Sequence, residues 1–301
     1  MNRMFADAFT DRYRRDGMVG VRVPRLNPNI WQYALTGAGP GAMLWMDDDD
    51  EIVAFNIAHV SGTEGWMGPL AVRTDRQGEG LGQAIVASAV EWLQRHRVQT
   101  IGLETMPRTV DNIGFYSQMG FLPGHITVTM VGEGISRSRS YPFIRASQLT
   151  EDQREAYYVR CCQLLAEHEI KSDYSREMRL THELGVGDTI LIEEDDAVRG
   201  FAVWHSAPLV ENRPAEELRL LKLFADGLDV FDKLLNGLEC CAAGRGLDRL
   251  AVRCQTEFSG AYVELVRRGY RVRWTDLRMT LEGFPSGGVQ ADQVLFSNWE
   301  I

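Results

Sequence analysis

The sequence predicts an α/β (α+β) chain built as two similar halves in tandem, and three observations predict it. Strand-like and helix-like runs alternate from the N-terminus to about residue 131, and a comparable order starts again near residue 141. An offset of 149 residues brings the halves into register without a gap: Gln77 falls on Asp226, Gly78 on Gly227, Leu103 on Val252 and Gly120-Phe121 on Gly269-Tyr270. Between them Gly132 to Ser140, rich in Gly, Ser and Arg, is the natural linker. The expected organisation is a first domain over 1–135, a second over 141–290 and a strand-like tail over 291–301.

Element by element, Asn2 to Arg15 reads as an amphipathic helix with Met4, Phe5, Phe9 and Tyr13 near one face, an ordinary core-facing pattern. Pro24 to Pro40 is turn-rich, with a short helix around Trp31 to Leu35. Ala42 to Met46 and Ile52 to Val60 read as strands flanking five acids, Asp47 to Glu51; a solvated turn explains that run, and a cation-attracting tip is the other reading. A strand (Trp66 to Val72), a helix (Leu81 to Arg97), a strand (Gln99 to Thr105), a short helix ended by Gly120 and a strand (His125 to Val131) follow.

The second half is expected to run strand (Phe143 to Ala146), helix (Glu151 to Glu169), helix (Asp173 to His182), hairpin (Thr189 to Glu194 with Val198 to His205), strand (Glu217 to Leu223), helix (Leu228 to Ala243), strand (Arg249 to Cys254), helix (Ser259 to Arg268) and strand (Tyr270 to Leu281). The first half has no counterpart of Phe143 to Ala146, and the tail Gln293 to Glu300 has no counterpart after Val131. The tail is therefore expected to pair in the first half's sheet, where the missing strand would lie.

At 301 residues, 45% hydrophobic and 25% charged, the chain has globular composition and room for two domains. No apolar run approaches the roughly 20 residues that span a bilayer, and Met1 to Arg15 mixes Asp7 and Asp11 with Arg12, Arg14 and Arg15 in place of a signal-peptide core. No membrane association and a cytoplasmic location are expected. The five cysteines, Cys161-Cys162, Cys240-Cys241 and Cys254, lack C-x-x-C spacing, and His168, His182 and His205 form no ligand cluster with them, so reduced thiols and no metal are expected. The net charge of −10 divides into −1 for residues 1–145 and −9 for 146–301. A large anion should prefer the first half, and the second should repel it or nucleic acid.

The chemistry concentrates in Gln77-Gly78-Glu79-Gly80-Leu81-Gly82. Alternate glycines free the backbone to turn sharply, so N–H groups converge at the start of a helix whose dipole favours an anion. Arg73 and Arg76 adjoin the turn. Taken alone, the stretch fits either an anion cradle or a plain strand-to-helix connection. It is not a Walker loop, which needs Gly-Lys-Ser/Thr, and no acid stands about twenty residues on for a dinucleotide ribose.

Together with Asn112-Ile113-Gly114-Phe115-Tyr116-Ser117-Gln118-Met119-Gly120-Phe121 downstream, this stretch resembles the GNAT superfamily of N-acetyltransferases, whose Gln/Arg-x-x-Gly-x-Gly/Ala motif lies between a strand and a helix. The resemblance implies a mixed, mostly antiparallel twisted sheet flanked by helices in each half. It also implies acetyl-CoA as acyl donor and an amine, of a small molecule, an amino sugar or a peptide, as acceptor. It makes Leu70 to Val72 the strand beside the pantetheine arm, gives the pyrophosphate to Gln77, Gly78, Gly80, Gly82 and Gln83, places Asn112 on the cofactor arm and makes Tyr116 the general acid. A phenol of pKa near 10 suits protonation of a thiolate of pKa about 8.5.

The base is expected at Glu104, at a strand end beside the cofactor; His59, Glu64 and a water relay are the alternatives. At the offset of 149, Gly80 becomes Asp229, Gly82 Phe231, Asn112 Ala261 and Tyr116 Leu265, so the second half is expected not to bind CoA in the usual way. Shaping the cleft, stabilising the first half and forming a homodimer surface are its expected roles. The rival to an N-acetyltransferase is a non-catalytic acyl-CoA-binding or scaffold protein.

Overall fold

The computed structural model describes residues 1–135 and 141–299, so residues 136–140 of the expected linker, and Glu300 and Ile301 of the expected tail, lie outside the described residues. The first half contains helices α1 (Asn2–Arg15) and α2 (Pro28–Ala38), strands β1 (Ala42–Met46), β2 (Ile52–Ser61) and β3 (Glu64–Val72), helix α3 (Leu81–Arg95), strand β4 (Thr100–Thr105), helix α4 (Val110–Gln118) and strand β5 (Phe121–Glu133). The second contains β6 (Ile144–Arg145), α5 (Glu151–Glu167), α6 (Ser175–Glu183), β7 (Gly187–Glu194), β8 (Ala197–His205), β9 (Leu218–Ala225), α7 (Leu228–Gly244), β10 (Arg249–Gln255), α8 (Ser259–Arg267), β11 (Arg271–Leu281) and β12 (Val294–Ser297).

Local signals account for the element ends. Asn27 caps α2, accepting from the Asn29 N–H, and Pro28 occupies the first helical position. Thr150 and Gln153 form a capping box at α5. Gly120 takes a φ of +87°, which ends α4 and turns the chain into β5. The acidic run is a solvated turn: Asp47 accepts from the backbone of Asp49 and Glu51, and Asp48 to Glu51 are exposed.

The two halves form one mixed sheet of twelve strands in the order β1-β2-β3-β4-β11-β5-β10-β9-β8-β7-β6, with β12 attached to β9. Most ladders are antiparallel; β3–β4 and β9–β10 are parallel. The last strand of each half crosses into the other, β11 lying against β4 and β5 against β10. The register makes this exchange a pseudo-twofold one. Leu103 pairs with Met279, and their equivalents at the offset of 149 residues, Val252 and Met130, pair likewise. Thr127 pairs with Asp276, its own equivalent, so the dyad passes through that pair.

Separate clusters of buried side chains pack on the two faces, with Met130 and Val128 of β5 inside the second half's core and Met279 of β11 inside the first half's.

The tail differs from the expectation. It does not pair in the first half: β12 runs antiparallel to the end of β9, with Val294 opposite Ala225 and Ser297 opposite Lys222. The reason is backbone supply. Strands β9 and β10 pair only at Leu218–Leu250 and Arg219–Ala251 and then part, leaving N–H and C=O groups of β9 open beside an apolar core. β12 satisfies them and buries Val294 and Phe296, the latter against Phe231 and Phe258.

Candidate active site

Strands β3 and β4 also part. They pair from Glu64–Thr100 to Met67–Leu103 and diverge at Gly68, but no strand fills the gap. A cleft of about 420 Å³ opens there, lined by Leu70, Val72, Gln77, Gly78, Gly80, Gly82, Gln83, Asn112 and Tyr116, so the residues expected from the motif converge on one cavity. Helix α1 forms the opposite wall with Phe9, Arg12 and Arg15. It is fixed there by polar ties: Arg12 pairs with Asp16 and Asp111, and Thr109 donates to Asp16 at 2.7 Å.

The glycine turn has the geometry of an anion cradle. Gly78 and Gly80 take φ of +88° and +83°, in the left-handed region that favours glycine. Gly80 is the N-cap of α3, and Ala84 donates to its carbonyl at 3.1 Å. The amides of the first turn therefore have no intrahelical carbonyl and point out of the helix start. Open space surrounds Gly78, and Gln77 is folded back to donate to the Val72 carbonyl at 3.2 Å. Arg76 and Arg73, beside the turn, are paired with Glu79 and Asp75.

A second cavity of about 220 Å³ continues past Leu70, Asn112 and Tyr116 to the floor of the parted strands. Its walls are aromatic, with Phe5, Trp66 and Trp299, and its floor carries Asn56, Glu104 and Asp276. Asn56 is fully buried, and neither side-chain polar atom has a hydrogen-bond partner among the described residues, an unmet demand that a ligand can satisfy. Tyr116 is packed near Phe115 and Phe121, with ring centroids 5.0 and 6.0 Å away, and burial pushes its phenol up to about 12.

Glu104 lies on this floor within an ion-pair cluster on the dyad. It accepts from Thr127 at 2.7 Å and from Arg253, its own equivalent in the second half, with Arg278 3.6 Å away. Burial opposes its charge, but the two arginines and Thr127 outweigh it and hold the carboxyl below the usual range. Asp276 shares Arg253 at 3.1 Å and accepts from Trp274 at 3.1 Å. Its carboxyl is raised, first by burial and then by the charge of Glu104. Two carboxylates beside one arginine are thus pushed apart, and Asp276 is the better proton acceptor.

The sequence reading missed Trp274, Asp276 and Trp299, because all three come from the second half. His59 and Glu64, the other bases considered, line neither cavity. Buried His59 is depressed to about 3, by burial first and then by Lys222 and Arg176, and Glu64 accepts from Trp66 at 3.3 Å.

In the second half the corresponding positions are closed. Asp226 pairs with Arg199 at 2.6 Å, Asp229 with Lys233 at 3.4 Å, and Phe231, Ala261 and Leu265 are core residues. Tail residue Asn298 donates through its backbone N–H to Leu221, and Gln255 of β10 donates to its side chain, so the tail bridges the parted strands.

No metal-holding group of His, Cys, Asp and Glu occurs among the described residues, and none of their helices is long and apolar enough to cross a membrane. Residues 5–121 match the model of the acetyltransferase (GNAT) family. No curated protein matches the chain at a significant level. Among solved structures, the chain is similar to a GCN5-related N-acetyltransferase from Sphaerobacter thermophilus, with 14% identity, coverage of 95% of this chain and 94% of that one, and a TM-score of 0.57. It is similar to a tandem GNAT protein from the clavulanic acid biosynthesis pathway, with 15% identity, coverage of 94% and 96%, and a TM-score of 0.58. Saccharomyces cerevisiae N-myristoyltransferase with bound myristoyl-CoA gives 9% identity, coverage of 96% and 84%, and a TM-score of 0.62. At these identities the likeness is one of fold.

Proposed function

Residues 5–121 form a domain of the acetyltransferase (GNAT) family, and from that premise we propose that the chain is an acetyl-CoA-dependent N-acetyltransferase acting on the primary amine of a small molecule. The observation that carries this reading is the convergence of Leu70, Val72, the glycine turn, Asn112 and Tyr116 on the one cleft where β3 and β4 part.

In this reading Gln77, Gly78, Gly80, Gly82 and Gln83 hold the pyrophosphate at the start of α3, and the open backbone of Leu70 to Val72 aligns the pantetheine arm, with Asn112 beside it. Acetyl-CoA supplies the acyl group as a thioester. The acceptor enters the cavity floored by Asn56 and Asp276, where Asp276 takes the proton that the amine loses as the N–C bond forms. Tyr116, protonated at neutral pH, donates a proton to the thiol sulfur as the C–S bond breaks. Glu104 stays ionised and keeps Arg253 and Arg278 in place.

The test is acceptor-dependent release of free CoA across a panel of small amines. Tyr116→Phe should lower kcat about 100-fold, the low end for loss of a positioned acid, with acetyl-CoA affinity unchanged. A full-rate Tyr116→Phe enzyme would remove Tyr116 from the chemistry. The base is tested by pH. A carboxyl raised in the free enzyme makes kcat/KM climb as pH rises through its pKa, and Asp276→Asn should remove that limb. A limb that survives in Asp276→Asn assigns the proton to another group.

A further inference from the structure

The second half keeps part of its own cleft. The tail occupies the stretch beside Lys222 to Ala225, but a cavity of about 420 Å³ remains beyond it, lined by Tyr33, His205, Arg219, Leu220, Ala251 and Trp274 among others. At the offset of 149 residues Arg219 is the equivalent of Leu70, so a cation stands where the first half has an apolar wall.

Among the described residues Arg219 has no carboxylate within ion-pair distance; its guanidinium donates to the Ala207 carbonyl at 3.0 Å. The other cations of this cavity are committed. Arg273 makes a two-pronged pair with Glu217 at 2.7 and 2.8 Å, and Arg253 is shared by Glu104 and Asp276. A buried charge is normally paired; burial depresses Arg219 to about 10, only partly offset by the charge of Glu217, which is itself bonded to Arg273. The remaining walls are apolar or aromatic: Ile30, Leu209, Leu220, Ala251, Trp274 and Tyr33, whose ring stands edge-on to neutral His205 at 4.5 Å. The volume falls in the range of small-molecule sites.

We infer that this cavity is a binding site for a small organic monocarboxylate with a flat apolar body, its carboxylate paired with Arg219. One guanidinium with no carboxylate at ion-pair distance matches one carboxylate, and a planar fork suits two parallel hydrogen bonds to it. A polyanion is disfavoured by Glu217 in the wall and by the −9 charge of residues 146–301. The site shares the Trp274 wall with the first half's cavity, but Arg219 lies outside that cavity and the inference stands whether or not the acetyl-transfer reading holds.

The experiment is calorimetric titration of the full chain with benzoate, phenylacetate and indole-3-acetate, with benzamide and inorganic phosphate as controls. One carboxylate should bind per chain, at least about 10-fold more tightly than benzamide, the gain expected of a charge-assisted pair. Arg219→Leu, which installs the first half's residue, should abolish binding while acetyl-CoA still binds, and Arg219→Lys should retain part of it. Equal affinity for benzoate and benzamide, binding unchanged in Arg219→Leu, tighter binding of phosphate than of any carboxylate, or no carboxylate binding at millimolar concentration would each overturn the inference. Should Arg219→Leu fail to fold, the comparison of benzoate with benzamide on the unaltered chain decides.

Discussion

Gly80→Asp is expected to abolish acetyl-CoA binding. Sterics contribute little, because a Cβ at Gly80 meets only Gln83 Oε1 at 3.9 Å. The backbone contributes somewhat more, since Gly80 has a φ of +83°, although aspartate tolerates this region better than most residues. The deciding effect is charge. A carboxylate about 4 Å from a phosphate, at an effective dielectric of about 20, costs about 4 kcal/mol per unit charge, or roughly a thousandfold in affinity. Calorimetry with acetyl-CoA on the unaltered chain, Gly80→Asp and Gly80→Ala separates the contributions: the alanine carries the backbone cost without the charge and should retain most of the binding. Unchanged affinity in Gly80→Asp would place acetyl-CoA elsewhere. The second half already carries aspartate at the equivalent position, Asp229.

Glu104→Leu is expected to destabilise the whole chain by about 3–5 kcal/mol, the usual cost of removing one member of a buried ion pair. The Glu104 side chain is only 6% exposed, and its loss leaves Arg253 and Arg278 with Asp276 as the one remaining carboxylate of the cluster and the Thr127 hydroxyl without its acceptor. Urea unfolding of the single variant and of Glu104→Leu with Arg253→Met gives the measure. The double variant removes the excess positive charge and should recover part of the loss, since apolar replacement of a buried pair is often near neutral. A loss below about 1 kcal/mol would show that the cluster is solvated, since exposed pairs contribute about that much or less.

The elements were legible because their signals are local. Hydrophobic period and the glycine at residue 120 placed most strands and helices, and residues 77–83 and 112–116 pointed to part of the candidate cleft's lining in the same way; the cap at Asn27 was not read, so α2 was expected only around Trp31 to Leu35. Asp276 and Trp274 were not legible, because they reach the first half's cavity only through the exchange of β5 and β11, and Trp299 reaches it from the tail beyond β12. An offset between halves shows which residues are equivalent; it does not show whether equivalent strands pair within their own half or across. The same limit misplaced the tail. Its partner was sought at the edge where a strand was missing, whereas the unmet backbone groups lay inside the sheet, along the end of β9.

The dyad through Thr127 and Asp276 has a consequence for how this chain can change. Each half borrows its neighbour strand from the other, as two copies of one ancestral subunit would by trading their final strands, and the linker makes that trade intramolecular. The chain can be regarded as a dimer with its partner built in. One half has no glycine cradle and has its gap filled by its own C-terminal segment, while its exchanged strand forms part of the floor of the other's cavity. The two halves are therefore not independent: a change along β11 alters the first half's cleft as directly as a change beside the glycine turn, and neither half can be cut away without opening the sheet of the one that remains.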